Sequence, residues 1–309
     1  MTCWKEIELS DRKQVNDILC ASGCHGADYS FANLYIWRHA YKPVFCTKGQ
    51  RIIVGMPHYK LYAYPKGAGD LRPSMEFLLD EAHKNNHKLK IRGLTDKTLE
   101  EFLPLYGNSF EITEDRDSAD YIYTADKLTN LPGRKLSSKR NHINKFLRNG
   151  SWEFHPVVAA SCASRSSFDL PEGQVASLAE AKAFVNEFYQ EKADPELKEE
   201  SLAIKEMFDN YESLGFLGGL LYQNEQPVAF TAGTRLDDEV FDIHFEKALP
   251  GVEGAYPMVN REFARLVVET IPEISHFNRE EDMGIPGLRK AKESYHPDIL
   301  LMKYFATEK

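Results

Sequence analysis

Residues 239–278, EVFDIHFEKALPGVEGAYPMVNREFARLVVETIPEISHFN, decide how this chain folds. Across Val240–Glu246 apolar and ionisable residues alternate, the two-residue period of a strand. Phe241, Ile243 and Phe245 fall on one face in that pattern, and Asp242, His244 and Glu246 on the other. Gly251 and Gly254-Ala255 then lead into a run with apolar residues at helical spacing and Pro257 near its start, where proline suits a helix. A short strand ending at Asn278 follows.

Working outward, SWEFHPVV (151–158) reads as a strand, and helical stretches run from about 177 to 211 after a polar serine-rich link. GFLGGLLYQNEQPVAFTAGTRL (215–236) is a hairpin with Asn224-Glu225 near its turn. GLRKAKESY (287–295) is a short helix, and DILLMKYFA (298–306) a closing strand. The first half shows the same order. Its strands are WKEIEL, PVFCTKG, RIIVGMPHY, KLYAYPKG, HKLKIRGL and SADYIYTA, with a helix that Pro73 opens and another over 95–107. Two α/β units of about 150 residues each suit the length of 309. The expected division is 1–130, a basic linking helix over 131–150, and 151–309. The order of elements resembles the N-acetyltransferase-like (GNAT) fold, so the expected class is α/β (α+β) with two tandem acyl-CoA N-acyltransferase-like domains.

Composition excludes several classes. A net charge of −9 argues against a chain that binds nucleic acid over its whole surface. The N-terminal MTCWKEIELSDRK lacks the apolar stretch of a signal peptide, and no apolar run approaches the length of a membrane span. Cys3, Cys20, Cys24, Cys46 and Cys162 lack metal-type spacing and read as the free thiols of a cytoplasmic protein, with no metal expected.

Four runs carry a closer resemblance: SFANLYIW (30–37), DYIYTADKLTNLPGRKLSSKRNHINKF (120–146), HFEKALPGVEGAY (244–256) and NREEDMGIPGLRKAKESYHP (278–297). They are similar to a bacterial family grouped with the C-terminal domain of phosphatidylglycerol lysyltransferase and, more distantly, to the Fem-type enzymes that add amino acids to peptidoglycan precursors. The resemblance spans essentially the whole chain. It implies tandem GNAT units and transfer of an aminoacyl group from charged tRNA, with an acyl-CoA thioester as the other donor to consider. Neither would be tightly bound, and the acceptor would be a small molecule or peptide bearing an amine or hydroxyl.

Candidate site residues follow. Asp242, His244 and Glu246 on one strand face are costly unless paired or used, and His244 or Glu246 is a candidate base. By resemblance Tyr295 is the candidate acid for the departing group. Lys247, Gly251, Gly254, Ala255 and Tyr256 would form a donor loop at a helix N-terminus. Asn278 would bond the donor chain, and Arg289, Lys290 and Lys292 would neutralise phosphates. Arg134, Lys135, Lys139, Arg140 and Lys145 form a basic stretch without an acid, a candidate contact for tRNA or another anion. The alternative is a GNAT-shaped module that binds an anionic ligand or RNA without catalysis.

Overall fold

The computed structural model describes residues 3–23, 25–159, 170, 173–190 and 198–309, and the chain forms two compact units. Unit one comprises Met1–Asp120, Glu281–Arg289 and Leu300–Lys309, and unit two comprises Tyr121–Glu280 and Lys290–Ile299. The serine-rich link, Cys24 and Cys162 lie outside the described residues, while Cys3 and Cys46 are free thiols. Among the described residues no helix is long and apolar enough to cross a membrane.

In unit one the strands Lys5–Glu6, Val44–Lys48, Arg51–Met56 and Leu61–Ala63 pair antiparallel in that order. Helix Arg72–Lys84 then carries the chain to Lys90–Leu94, which runs parallel to Leu61–Ala63. The helix forms where apolar residues recur at helical spacing, and it buries Met75, Leu78 and Ala82. Unit two repeats the plan. Trp152–Val158, Phe216–Gln223, Gln226–Arg235 and Val240–Ala248 pair antiparallel, and helix Ala255–Thr270 leads to His276–Asn278, parallel to Val240–Ala248. That helix buries Met258, Val259, Phe263 and Val267 against Phe241, Ile243 and Phe277. Each such side chain contributes about 1.5–3 kcal/mol of burial.

The two sheets are completed reciprocally, which corrects the sequence expectation. Tyr304–Glu308, from the end of the chain, fits between Lys90–Leu94 and Phe110–Glu114 in the first sheet. Asp120–Thr124, expected to close the first half, instead pairs with His276–Asn278 in the second sheet. Alternation of side chains marks a strand but not its partner, because the backbone groups that pair are the same in every residue. The basic helix Ser137–Arg148 is likewise not a linker. Ile143 and Phe146 are buried in the core of unit two beside Met258 and Phe263, so the boundaries at 130 and 150 do not hold.

Unit one contains a buried charge network. Lys303 lies 2.5 Å from Asp28 and 2.7 Å from Asp120, and Arg92 lies 3.2 Å from Asp28. Burial works against the Lys303 charge, yet Asp120, Asp28 and Glu281 outweigh it and raise its pKa. Burial, with Asp28 adding to it, also raises the Glu281 carboxyl from 4.5 to about 7. Between those two values the folded chain retains a proton that the unfolded chain has released. The stabilising contribution is therefore complete below pH 4.5 and lost as pH rises through 7. Glu281→Gln keeps the neutral form at every pH. Thermal melts followed by circular dichroism should show the variant unchanged at pH 4 and more stable than the parent at pH 8. Equal melting temperatures at pH 8 would contradict this assignment.

Candidate functional site

The strand Val240–Ala248 pairs with His276–Asn278 only from Val240↔His276 to Asp242↔Asn278. Beyond that point the two chains separate, while Val240–Ala248 stays paired on its other edge with Gln226–Arg235. The ionisable side chains of the strand flank this divergence.

They do not share a face, which corrects the alternation read from sequence. Ile243 pairs with Gly233 and Phe245 with Ala232, so His244 is an extra residue with no partner across the ladder, a β-bulge. The bulge reverses the alternation. Asp242 and His244 project to one face, whereas Glu246 turns to the other and meets Asn260 of the long helix. Gly233 permits this geometry, because a Cβ there would lie 2.1 Å from the Asp242 carbonyl oxygen.

On the first face His244 is almost fully buried. Its Nδ1 lies 2.9 Å from Glu280 Oε1 and 3.6 Å from Asp242 Oδ2, and its Nε2 lies 2.8 Å from the Thr234 hydroxyl. The Phe216 ring packs against the imidazole at 5.3 Å. Asn278 is fully buried, and its Oδ1 accepts the Glu280 N–H at 2.7 Å, which fixes the turn that carries Arg279 and Glu280.

The other face is built around Arg279. Its Nη2 donates to Glu246 Oε1 at 2.9 Å, and Glu246 Oε2 accepts from the Asn260 amide at 2.8 Å. The guanidinium lies over the Tyr295 ring at 4.8 Å and the Tyr123 ring at 5.8 Å, within cation–π range. Lys139 Nζ sits 4.1 Å from the Tyr295 ring centroid. Burial raises the Tyr295 phenol well above its usual pKa although Arg279 opposes the shift, so the ring keeps its proton. Burial, and then Arg279, lowers the pKa of Lys139. Burial disfavours charge on Arg279, but Glu246 overrides it and the guanidinium stays charged.

The remaining candidates are spread out. Gly254 has a left-handed φ of 84° at the start of the long helix, and a Cβ there would lie 2.2 Å from the His142 carbonyl oxygen. Glu253, in the same loop expected to cradle a donor phosphate, pairs with Lys145 of the basic helix at 2.7 Å. Gly251 is also left-handed, Ala255 is buried and Tyr256 is half exposed. Lys247 pairs with Glu200 at 2.6 Å. Lys292 Nζ donates to the carbonyl oxygens of Arg279 and Glu280 and braces that turn. Arg289 binds Asp282 and Asp117 in unit one, whereas Lys290 is exposed in unit two. In the basic stretch Arg140 donates to the carbonyl oxygens of Leu131 and Gly133, while Arg134 and Lys135 are exposed. Arg279 and Glu280 were not among the candidates read from sequence, where the charges of 279–282 divide into solvated and paired ones without showing which is which. Only their proximity to Glu246 and His244 distinguishes them.

Antiparallel strands, a helix and a parallel strand that diverges from its neighbour define a fold of the GNAT-like class, with polar groups at the divergence. The chain belongs to the phosphatidylglycerol lysyltransferase C-terminal family, which matches residues 22–307. A conserved protein of unknown function from Bacteroides thetaiotaomicron is 32% identical over 100% of both chains, with a TM-score of 0.83. The C-terminal domain assigned to a lysylphosphatidylglycerol synthetase of Agrobacterium fabrum shares the fold at 13% identity and a TM-score of 0.64, over 97% of this chain and 92% of that one. No curated protein matches the chain.

Proposed function

We propose that this chain transfers an aminoacyl group from charged tRNA to a hydroxyl or amine acceptor, with the Arg279 cluster as the reacting centre. The observation that carries the reading is Arg279 Nη1, a buried N–H group with no carboxylate, amide or carbonyl partner among the described residues, on a guanidinium that interacts with the Tyr295 hydroxyl. An unpaired buried donor costs about 1–3 kcal/mol and is expected where charge will develop. The acceptor attacks the ester carbonyl, and Arg279 Nη1 stabilises the tetrahedral oxyanion. Glu246 takes the acceptor's proton. The bond to the ribose oxygen then breaks, and Tyr295 protonates that oxygen. Transfer of the proton from Glu246 to the tyrosinate, which Arg279 and Lys139 stabilise meanwhile, closes the cycle.

Two features favour charged tRNA over acyl-CoA. In the loop that would hold a pyrophosphate, the His142 carbonyl oxygen packs close against Gly254, and the acidic Glu253 lies paired with Lys145, which sets a negative charge where a phosphate would bind. The family is also named for lysyl transfer to phosphatidylglycerol, a transfer to a glycerol hydroxyl. A purely RNA-binding module is less well supported, since Lys139, Arg140 and Lys145 are engaged within unit two.

The test is to incubate the protein with tRNA charged with radiolabelled amino acids and with vesicles containing phosphatidylglycerol, or with soluble glycerol derivatives. Label should leave the tRNA and appear on an acceptor with the parent protein but not with Glu246→Gln. Acyl transfer from acetyl-CoA while tRNA label stays in place would replace the donor. No transfer from either donor would overturn the reading.

A further inference from the structure

We propose that Asp242, His244 and Glu280 bind one divalent metal ion of the zinc type. Each offers one ligand atom, and the three atoms lie within 4.8 Å of one another. Zinc holds nitrogen and oxygen ligands at about 2.0–2.2 Å, so two tetrahedral ligands sit about 3.3 Å apart. The separations from His244 Nδ1, 2.9 Å to Glu280 and 3.6 Å to Asp242, bracket that value. Side-chain rotations that bring the three atoms onto one centre would supply three of the four ligands of a tetrahedral ion.

Three further features suit a metal. Thr234 Oγ1 lies 2.8 Å from His244 Nε2, and in the tautomer in which it accepts that ring N–H the Nδ1 lone pair is directed at the carboxylates. The Phe216 ring packs on the imidazole, and Asp242 is fully buried, so the site is poor in water and the two carboxylates gain from a divalent charge. Glu280 adopts a left-handed φ of 58°, uncommon for a glutamate, in the turn that brings its carboxylate to His244. The site is on the strand face opposite Glu246, so it stands or falls independently of the transfer reading.

The test begins with protein stripped by EDTA and desalted. Zinc chloride is titrated calorimetrically, and retained zinc is measured by mass spectrometry after a second desalting. One zinc per chain is expected. His244→Gln and Glu280→Gln should weaken binding by about 100-fold or more, and Thr234→Val by about 10- to 100-fold, the loss typical of an outer-shell partner. Melts of each variant in EDTA separate lost binding from lost folding. Should a variant fail to fold, cobalt(II) added to the parent protein provides a second reading: visible bands of a nitrogen- and oxygen-ligated ion, with no thiolate charge-transfer band. Parent protein that retains no zinc, zinc retained equally by both ligand variants, or a thiolate band would each overturn the assignment.

Discussion

Arg279→Lys is expected to slow group transfer by about 100- to 1,000-fold, the loss seen when one oxyanion donor is removed from an active site. The lysine keeps a positive charge beside Glu246, so the fold should survive, but it has no second N–H fork to reach a developing oxyanion. The loss should fall on kcat, with KM for the charged tRNA little changed, because the interaction strengthens only in the transition state. Arg279→Met would be a poorer probe. It leaves Glu246 buried without its cation, and breaking such a pair costs about 3–5 kcal/mol. Steady-state kinetics and a melt on the lysine variant decide the matter. A variant with near-parental kcat would remove Arg279 from the chemistry, and an unfolded one would make it structural.

The second large effect concerns stability. Lys303→Met should destabilise the protein by about 3–5 kcal/mol, since it leaves Asp28 and Asp120 buried without the ammonium between them. For a unit of this size that corresponds to a fall of roughly 10 °C in melting temperature. Lowering the pH should recover part of the loss by protonating the carboxylates. Burial favours their neutral forms, and in the parent chain Lys303 and Arg92 override that and hold Asp28 at about 2. Melts of parent and variant across pH 4 to 8 test this. A variant as stable as the parent at pH 7 would show that the network contributes nothing net.

Much of this molecule was legible in its sequence. Alternation marked Val240–Ala248, and helical spacing marked Ala255–Thr270 with Gly254 immediately before it. The hairpin Phe216–Arg235 and the helix Arg72–Lys84 were equally plain. These elements follow from local rules, namely backbone geometry, turn chemistry and the period at which apolar residues recur. Tertiary structure decided three things. It chose the partners of Tyr304–Glu308 and Asp120–Thr124, since any strand can pair with any open edge. It placed a bulge at His244, which depends on the register against Gly233 and Ala232 and turned Glu246 away from its apparent companions. It also gathered Arg279 to Glu246, and Glu280 to His244, over separations of more than thirty residues. A charge in sequence carries no mark of its partner. Only folding, which pairs buried charges because leaving them alone is so costly, shows which charges act together.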